Sequence, residues 1–493
     1  MIKIPDGKLF VGGDWKNGSG HEIVSIFPVD GSVNCIFNGA SKEDVLEAIK
    51  LAKEAQSQES WLSLKAYERA KYLYAIAEGI EANIDRISQI QTRDTGKTLS
   101  ETSALAKSAS GTFRYYAALL ESSDDSLTSQ RGDSLTMSVY EPIGLVSAIT
   151  PWNSPIASDA QKVAPALAAG NAVLLKPSSW SPLVSLELAR IVESSGLPKG
   201  LFSVLPGGGN EVGSLLVEHP DISKVTFTGS TSTGRKLASQ AAQKLMPITL
   251  ELGGKSPVVV FDDADLDVAI SGVMFGIFSS SGQSCIAGSR LFVHEKIYDE
   301  FLKRLVNETK KLKVGDPYNE NTQVSSLIHP EHRDLVSAYV DRAKDEGGKI
   351  LCGGKAPQGP EFDKGAYYLP TIICDVKSTS EICQEEVFGP VLVVMSFNNE
   401  DDVIKQANET QYGLACGIWT NDFPKAWRIG RAINAGTVWI NTYKQFSIST
   451  PFGGEKNSGM GREKGSDGIK AYMSQKSLYV DLTGKPHQWV NLK

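Results

Sequence analysis

The sequence predicts an α/β protein with two parallel-sheet domains and a small extended arm. Three observations lead there. At 493 residues the chain is too long for one core and points to two or three domains. Short apolar runs closed by Gly or Pro alternate with helical segments, the pattern of a parallel sheet covered by helices on both faces. The alternation breaks near Cys285 and then resumes as a second series.

The elements follow in order. "SKEDVLEAIKLAKEAQ" opens with Ser41 as an N-cap and Asp44 three residues on, and Val45, Ala48, Ile49 and Ala52 share one face. Helices over residues 66–83 and 104–120 come next. The runs "IGLVSAIT", "NAVLLKP", "LFSVLPG", "KVTFTG" and "SPVVVFD" read as strands, and the helix in "PLVSLELARIVESSGLPKG" stops at Gly196 and Pro198. After Cys285, "RLFVHE", "IYDEFLKRLVNETKKL", "PVLVVMSF", "LACGIWT" and "GTVWINT" form the second series. "SLTMSVYEPIG" and "KSLYVDLTG" fit neither and read as extended. They are either a surface hairpin and a tail, or an arm whose strand edges pair and seek a second copy. The expected division is 1–122 with 142–253 as one domain, 254–465 as another, and 123–141 with 466–493 as the arm.

Composition excludes several classes. The chain is 41% hydrophobic and 22% charged, an ordinary globular balance, and its formal net charge of −7 argues against a nucleic-acid partner. Six cysteines (Cys35, Cys285, Cys352, Cys374, Cys383, Cys416) form no C-x-x-C pair and no tight cluster, so neither a metal site nor a disulfide framework is expected. The start "MIKIPDGKLFVGGDW" lacks an apolar signal region, and no run nears the ~20 apolar residues of a membrane span. A cytoplasmic protein with no membrane partner is expected.

One cysteine invites chemistry. In "SGQSCIAGSR", Cys285 sits among Gly282, Gln283, Ser284, Ala287, Gly288 and Ser289, whereas a core cysteine has apolar neighbours. Small groups leave room for a substrate. A cysteine nucleophile needs an oxyanion donor, a base and an acceptor for what leaves. Asn153 in "TPWNSP" and Glu251 in "ITLELGGKSP" stand at strand ends, where α/β proteins place sites. A charged residue between Leu250 and Leu252 is unusual for a plain core strand. Taken singly, Asn153 could be a turn residue before Pro155, Glu251 a strand-end partner of a lysine, and Cys285 a structural thiol.

Taken together, TPWN, LLKPS, FTGS, ELGGKSP, GQSCIAGSR, EEVFGPV and PFGGEKNSGMGRE occur in this order along one chain. This resembles the NAD(P)-dependent aldehyde dehydrogenase superfamily, in its hydrolytic, non-CoA-acylating branch, from about "LFVGGDW" to "AYMSQKSLYV". The resemblance implies a Rossmann-type cofactor domain, an α/β catalytic domain and a β oligomerisation arm. It implies Cys285 as nucleophile, Asn153 as oxyanion donor with the Cys285 N–H, and Glu251 as the base for thioester hydrolysis. A homodimer or homotetramer acting on a small aldehyde follows from the same likeness.

The dinucleotide site is expected to depart from the usual glycine rule. "PGGGNEVG" lacks G-x-G-x-x-G spacing, and the resemblance gives Gly209 only a packing role near the adenine. "KVTFTGSTSTGRKLASQ" is the better phosphate site: a strand ends at Thr228, Gly229 turns, and Ser230 starts a helix whose N–H groups face the phosphates. The resemblance puts Lys176 on the adenosine ribose, Glu386 and Phe388 on the nicotinamide ribose and ring, and Trp152 and Leu252 in the nicotinamide pocket. Thr150, Pro151, Ser178, Phe227 and Thr233 complete the set. Ser179 stands where many NAD-preferring members carry a glutamate, so NADP is expected to be accepted as well as NAD, with the Ser179 hydroxyl able to donate to a 2′-phosphate.

The same likeness turns Tyr116, Ser154, Ser158, Gln161, Ser284, Ile286, Lys444 and Phe446 toward the substrate. Serines and a glutamine replace the aromatic side chains common there, which favours a small or polar aldehyde. Lys444 is either a solvated loop lysine or an anchor for a substrate anion. No histidine lies in a motif that suggests a base, which speaks against a cofactor-independent cysteine hydrolase. Retention of Cys285, Glu251 and Asn153 speaks against a non-catalytic relative.

Overall fold

A computed structural model of the chain describes residues 3–130, 132–486 and 489. The outermost ends of the expected first domain and arm, and residue 131 within the arm, lie outside the described residues.

Two large sheets organise the fold. In the first, five parallel strands run in the spatial order Phe202–Val204, Ala172–Lys176, Leu145–Ile149, Ile222–Thr228, Ile248–Glu251. Their sequence order reverses between Leu145–Ile149 and Ile222–Thr228, and open α/β sheets bind ligands at the carboxyl end of such a switch point. Antiparallel strands close both edges: Leu9–Val11 with Asp14–Lys16 on one side, Gly459–Met460 beside Ile248–Glu251 on the other. The first sheet thus takes its last strand from within the 254–465 stretch.

The strands bury both faces. Ala172–Lys176 is buried throughout, as its run of apolar residues requires. Ala66–Ala82, Leu99–Ser122, Pro155–Ala168 and Leu183–Ser194 pack one face, and Lys42–Gln56 and Thr231–Ala242 the other. Lys42–Gln56 starts as the sequence indicates: Ser41 Oγ accepts from the Asp44 N–H at 3.2 Å, and Asp44 accepts from the Ser41 N–H at 2.9 Å. The helix expected over 104–120 starts earlier, at Leu99, because Thr98 and Glu101 form a second capping box.

The second sheet has seven strands in the order Lys349–Cys352, Thr371–Cys374, Val391–Phe397, Arg290–His294, Pro257–Val260, Ala415–Trp419, Thr437–Ile440. All pairs are parallel except the first. The two extended segments do pair: Ser134–Pro142 lies antiparallel to Met473–Asp481, with Ser126–Leu127 on its other edge. All six cysteines are free; Cys374, Cys383 and Cys416 are buried, whereas Cys35 and Cys352 are only half-buried. Among the described residues no helix is long and apolar enough to cross a membrane, and no cluster of side chains could hold a metal ion.

Candidate active site

Asn153, Glu251 and Cys285 line one cleft of about 250 Å³, between the carboxyl ends of the first sheet and the loops of the second. Pro151, Trp152 and Asn153 follow the strand Leu145–Ile149; Thr228, Gly229 and Ser230 follow its switch-point neighbour; Glu251, Leu252 and Gly253 leave the next strand. The opposite wall carries His332, Leu335, Glu386, Val387 and Phe388, and Trp180 completes the lining.

The loop before Cys285 is held in an unusual backbone. Ser280, Ser281 and Gly282 have φ of 58°, 54° and 72°, a left-handed run that costs free energy for the two serines. Specific contacts fix it. Glu101 accepts from the Ser280 N–H at 2.6 Å, and Ser281 Oγ donates to the Ser325 carbonyl at 2.9 Å. Gln283 is 1% exposed and accepts from the Ile328 N–H at 2.8 Å, so the glutamine of GQSC is a scaffold for its neighbour.

Two N–H donors sit near Cys285. Asn153 Nδ2 donates to the Gln283 carbonyl at 3.0 Å, two residues before Cys285. Among the described residues the Cys285 N–H has no acceptor. The glycines of ELGG explain how the strand carrying Glu251 passes so close. A Cβ on Gly254 would stand 2.3 Å from the Cys285 carbonyl oxygen, and one on Gly253 would stand 2.4 Å from Glu386 Oε2.

Burial dominates the electrostatics. It pushes the Cys285 thiol up to about 12, with the carboxylates of Glu386 and Glu251 adding to the effect and Lys444 opposing it. Burial also raises Glu251 well above the carboxylate range, Glu463 reinforcing and Lys162, Arg462 and Lys464 opposing. Both Glu251 oxygens are buried without a hydrogen-bond partner. Behind Glu251, Glu463 forms a buried ion pair with Lys162 and accepts from Thr226 Oγ1 at 3.2 Å. Burial of this kind disfavours the charged carboxylate and makes it a stronger base once ionised.

The cofactor positions divide. Glu386 accepts from the Gly254 N–H at 2.9 Å with one oxygen, leaving the other toward the cleft, and burial raises it to about 7. Phe388 has φ of 56° and meets Trp152 edge-on at 5.1 Å. Ser230 is the N-cap of Thr231–Ala242 and accepts from the Thr233 N–H at 3.3 Å, so the free N–H groups of that first turn face the cleft's end. Phe227 is buried in the strand below, its ring against Gly229, and Thr150 is buried with its hydroxyl unpartnered. Lys176 is buried, its ammonium donating to the Pro177 carbonyl at 3.1 Å and lowered by burial to about 8. Ser178 Oγ accepts from the Trp180 N–H at 3.3 Å. Ser179 Oγ donates to the Gly207 carbonyl at 3.1 Å, so its proton is already committed. Gly209 begins a short wide-helical turn, Gly209–Gly213, with open space beside it.

The substrate-facing positions also divide. On the helix Pro155–Ala168 only Ser158 and Gln161 escape burial, and with Ser154 at its N-cap they share one face. Ser284 is half-buried and Ile286 buried beside the cysteine. Phe446 is largely exposed, and Lys444 donates to Ser279 Oγ at 2.8 Å rather than to solvent alone. Tyr116 lies in the helical core, its hydroxyl against Gly468 and unpartnered.

Several neighbours were invisible in the sequence. His332 meets the edge of Trp152 at 5.4 Å and bonds the Phe388 carbonyl through Nε2 at 2.8 Å; His329 stacks on Trp180 at 5.3 Å. Neither histidine lies in a motif, and only the fold brings them to the cleft.

Comparison with known proteins agrees with this geometry. The profile of the aldehyde dehydrogenase family matches residues 15–478. The chain is 39% identical to betaine aldehyde dehydrogenase of Bacillus subtilis (strain 168), over 98% of this chain and 99% of that one. It superposes with a TM-score of 0.96 on the crystal structure of betaine aldehyde dehydrogenase from Staphylococcus aureus in complex with NAD+, at 35% identity and covering 99% and 97% of the two chains. A mutant of an aldehyde dehydrogenase from Bacillus cereus gives 0.94 at 35% identity, covering 97% of each.

Proposed function

The chain belongs to the aldehyde dehydrogenase family, and on that premise we propose that Cys285, Glu251 and Asn153 are its nucleophile, general base and oxyanion donor. The protein is an NAD(P)-dependent aldehyde dehydrogenase that oxidises an aldehyde to the carboxylic acid through a cysteine-bound thiohemiacetal and thioester. The observation that carries the residue roles is the convergence of the three side chains in one cleft.

The cleft suits a dinucleotide. It pairs a free helix N-terminus for the phosphates with a carboxylate oxygen of Glu386 turned to the cavity and an aromatic wall of Trp152 and Phe388. Bound there, NAD or NADP accepts the hydride that leaves the substrate carbon. Pro151, Gly229 and Leu252 shape the floor, and Lys176, Ser178, Ser179, Gly209, Phe227, Thr150 and Thr233 are proposed to hold or support the adenosine half.

Cys285 must first lose its proton to water in the cleft, which burial resists. The thiolate then adds to the aldehyde carbon, forming the C–S bond and an alkoxide. The Cys285 N–H and the Asn153 amide are placed to hold that oxygen, the latter by leaving the Gln283 carbonyl. Collapse of the alkoxide gives the thioester. Glu251, once ionised, takes a proton from water; the hydroxide adds to the thioester, the C–S bond breaks to release the acid and a thiolate, and Glu251 returns its proton to give the thiol.

Ser154, Ser158, Gln161, Ser284, Ile286, Lys444 and Phe446 are the proposed substrate wall, with Tyr116 behind it, and their polarity favours a small or polar aldehyde. We assign the 123–141 and 466–493 arm to contact between subunits in a homodimer or homotetramer. We assign 1–122 with 142–253 to the cofactor and 254–465 to catalysis, and place the enzyme in the cytoplasm. The test is absorbance of the reduced cofactor on adding an aldehyde panel with NAD or NADP to wild type and Cys285→Ala. Signal from wild type alone is expected; equal signal from both removes Cys285 as nucleophile.

A further inference from the structure

Lys464 is 7% exposed and has φ of 62°, and its ammonium has no hydrogen-bond or ion-pair partner among the described residues. Buried ammonium groups are normally paired. The adjacent carboxylate, Glu463, is taken by Lys162. What surrounds the Lys464 ammonium instead is aromatic: the ring centres of Phe446 and Phe452 lie 3.9 Å and 5.2 Å away, and the two rings meet edge-on at 5.4 Å. Cation–π contact of this kind offsets part of the cost of burial but supplies no counter-charge.

A second lysine also neighbours Cys285. Lys444, two residues before Phe446, has φ of 55° and stands 5.9 Å from the Phe275 ring; among the described residues it bonds only the Ser279 hydroxyl. It too lacks a carboxylate partner. Ser279 and Phe275 line a cleft of about 640 Å³ that opens to solvent. None of Lys444, Lys464, Phe446 and Phe452 lines the cofactor cleft. They nevertheless adjoin the reacting groups. Phe452 and Glu463 exchange main-chain hydrogen bonds at 2.8 Å, and the next residue, Gly453, faces Glu251, whose Oε1 lies 3.1 Å from where its Cβ would stand. Both ammonium groups act electrostatically on the Cys285 thiol, and Lys464 on Glu251 as well.

We propose that Lys464 and Lys444 form an anion-binding subsite on the side of Cys285 away from the cofactor, and that the substrate is an aldehyde carrying a remote carboxylate. The inference rests on the reading of Cys285 as the nucleophile. A carboxylate at these ammonium groups provides the counter-charge that the fold withholds, while the Phe446 and Phe452 faces pack its carbon chain. A cationic aldehyde would meet two like charges there. The polar face of Ser154, Ser158 and Gln161 suits the same ligand.

The test uses straight-chain ω-oxo carboxylates of four to six carbons against n-alkanals of equal length, with betaine aldehyde as the cationic probe. The enzymes are wild type, Lys464→Met, Lys464→Arg and Lys444→Gln. Wild type is expected to favour an oxo acid over its alkanal by about tenfold or more in kcat/KM, and betaine aldehyde to be the poorest. Lys464→Met should collapse that ratio through KM, Lys464→Arg should retain more of it, and a short dicarboxylate should compete with substrate in wild type only. If Lys464→Met does not fold, Lys444→Gln carries the same ratio test. A wild-type ratio near one, or a ratio unchanged in the folded variants, overturns the subsite while leaving the dehydrogenase reading intact. Absence of reduced cofactor with every aldehyde overturns that reading instead.

Discussion

The Asn153 side-chain amide donates to the Gln283 carbonyl at 3.0 Å, which holds the proposed oxyanion donor two residues from Cys285 before substrate arrives. Asn153→Ala should lower kcat by roughly 10²–10³, the usual loss for one such donor. KM should change little, since the donor acts once charge develops. Steady-state kinetics checks this; a kcat within a few-fold of wild type removes Asn153 from the oxyanion site.

Glu251→Gln should separate the two chemical steps. Hydride transfer precedes thioester hydrolysis, so the variant should give a burst of reduced cofactor about equal to enzyme and then little more. Stopped-flow absorbance measures the burst. Turnover at the wild-type rate would mean that another group serves as the base.

Cofactor choice should hinge on Ser179. A glutamate at this position would repel a 2′-phosphate at ~4 Å by roughly 1–4 kcal/mol, so Ser179→Glu should cut kcat/KM for NADP by about tenfold or more. NAD should stay within a few-fold. Because the Ser179 proton is held by the Gly207 carbonyl, the wild-type preference for NADP should be modest. Wild type inert with NADP at millimolar concentration defeats the idea.

Substrate affinity should fall as pH rises. Burial lowers Lys464 to about 8, opposed by Glu463, Glu251 and Cys285, and lowers Lys444 to about 7, reinforced by Lys97 and opposed by Glu101 and Cys285. Each amine loses its charge as pH climbs through its value, and a bound carboxylate holds the proton to higher pH. KM for an ω-oxo carboxylate should therefore climb from about pH 8 upward, whereas KM for the matching alkanal should not. Parallel KM–pH curves for the two contradict this.

The arm should be an interface. Tyr479 is 76% exposed, and Leu127, Val480 and Leu482 are also open on a strand ribbon with free edges. Light scattering at micromolar concentration should give a dimer or tetramer, and Tyr479→Asp should shift it toward monomer. A wild-type monomer removes the assignment.

What the sequence disclosed, and what it hid, follows from the range of the interactions. Ser230 and Gly229 were readable because capping and turning are local. Cys285 was readable because a run of small residues is local too. The helix from Leu99 was read late because its capping box, Thr98 and Glu101, precedes the apolar pattern. Nothing in the sequence singles out Lys464; its aromatic surroundings, Phe446 and Phe452, arrive through the fold. His329 and His332 reach the cleft the same way. Tyr116 shows the opposite case, a residue assigned to the substrate side whose hydroxyl meets Gly468 in the helical core.

The pairing of Gly459–Met460 with the strand that ends in Glu251 has a consequence for biosynthesis. Glu251 is synthesised first, and the strand that covers it follows about 200 residues later. Until then a nascent polypeptide carries a raw sheet edge beside its most sensitive carboxyl, with Lys162 waiting for Glu463. A chain truncated before Gly459 would hold Cys285, Asn153 and Glu251 intact yet be unfinished around all three, and be a ready client for chaperones and proteases.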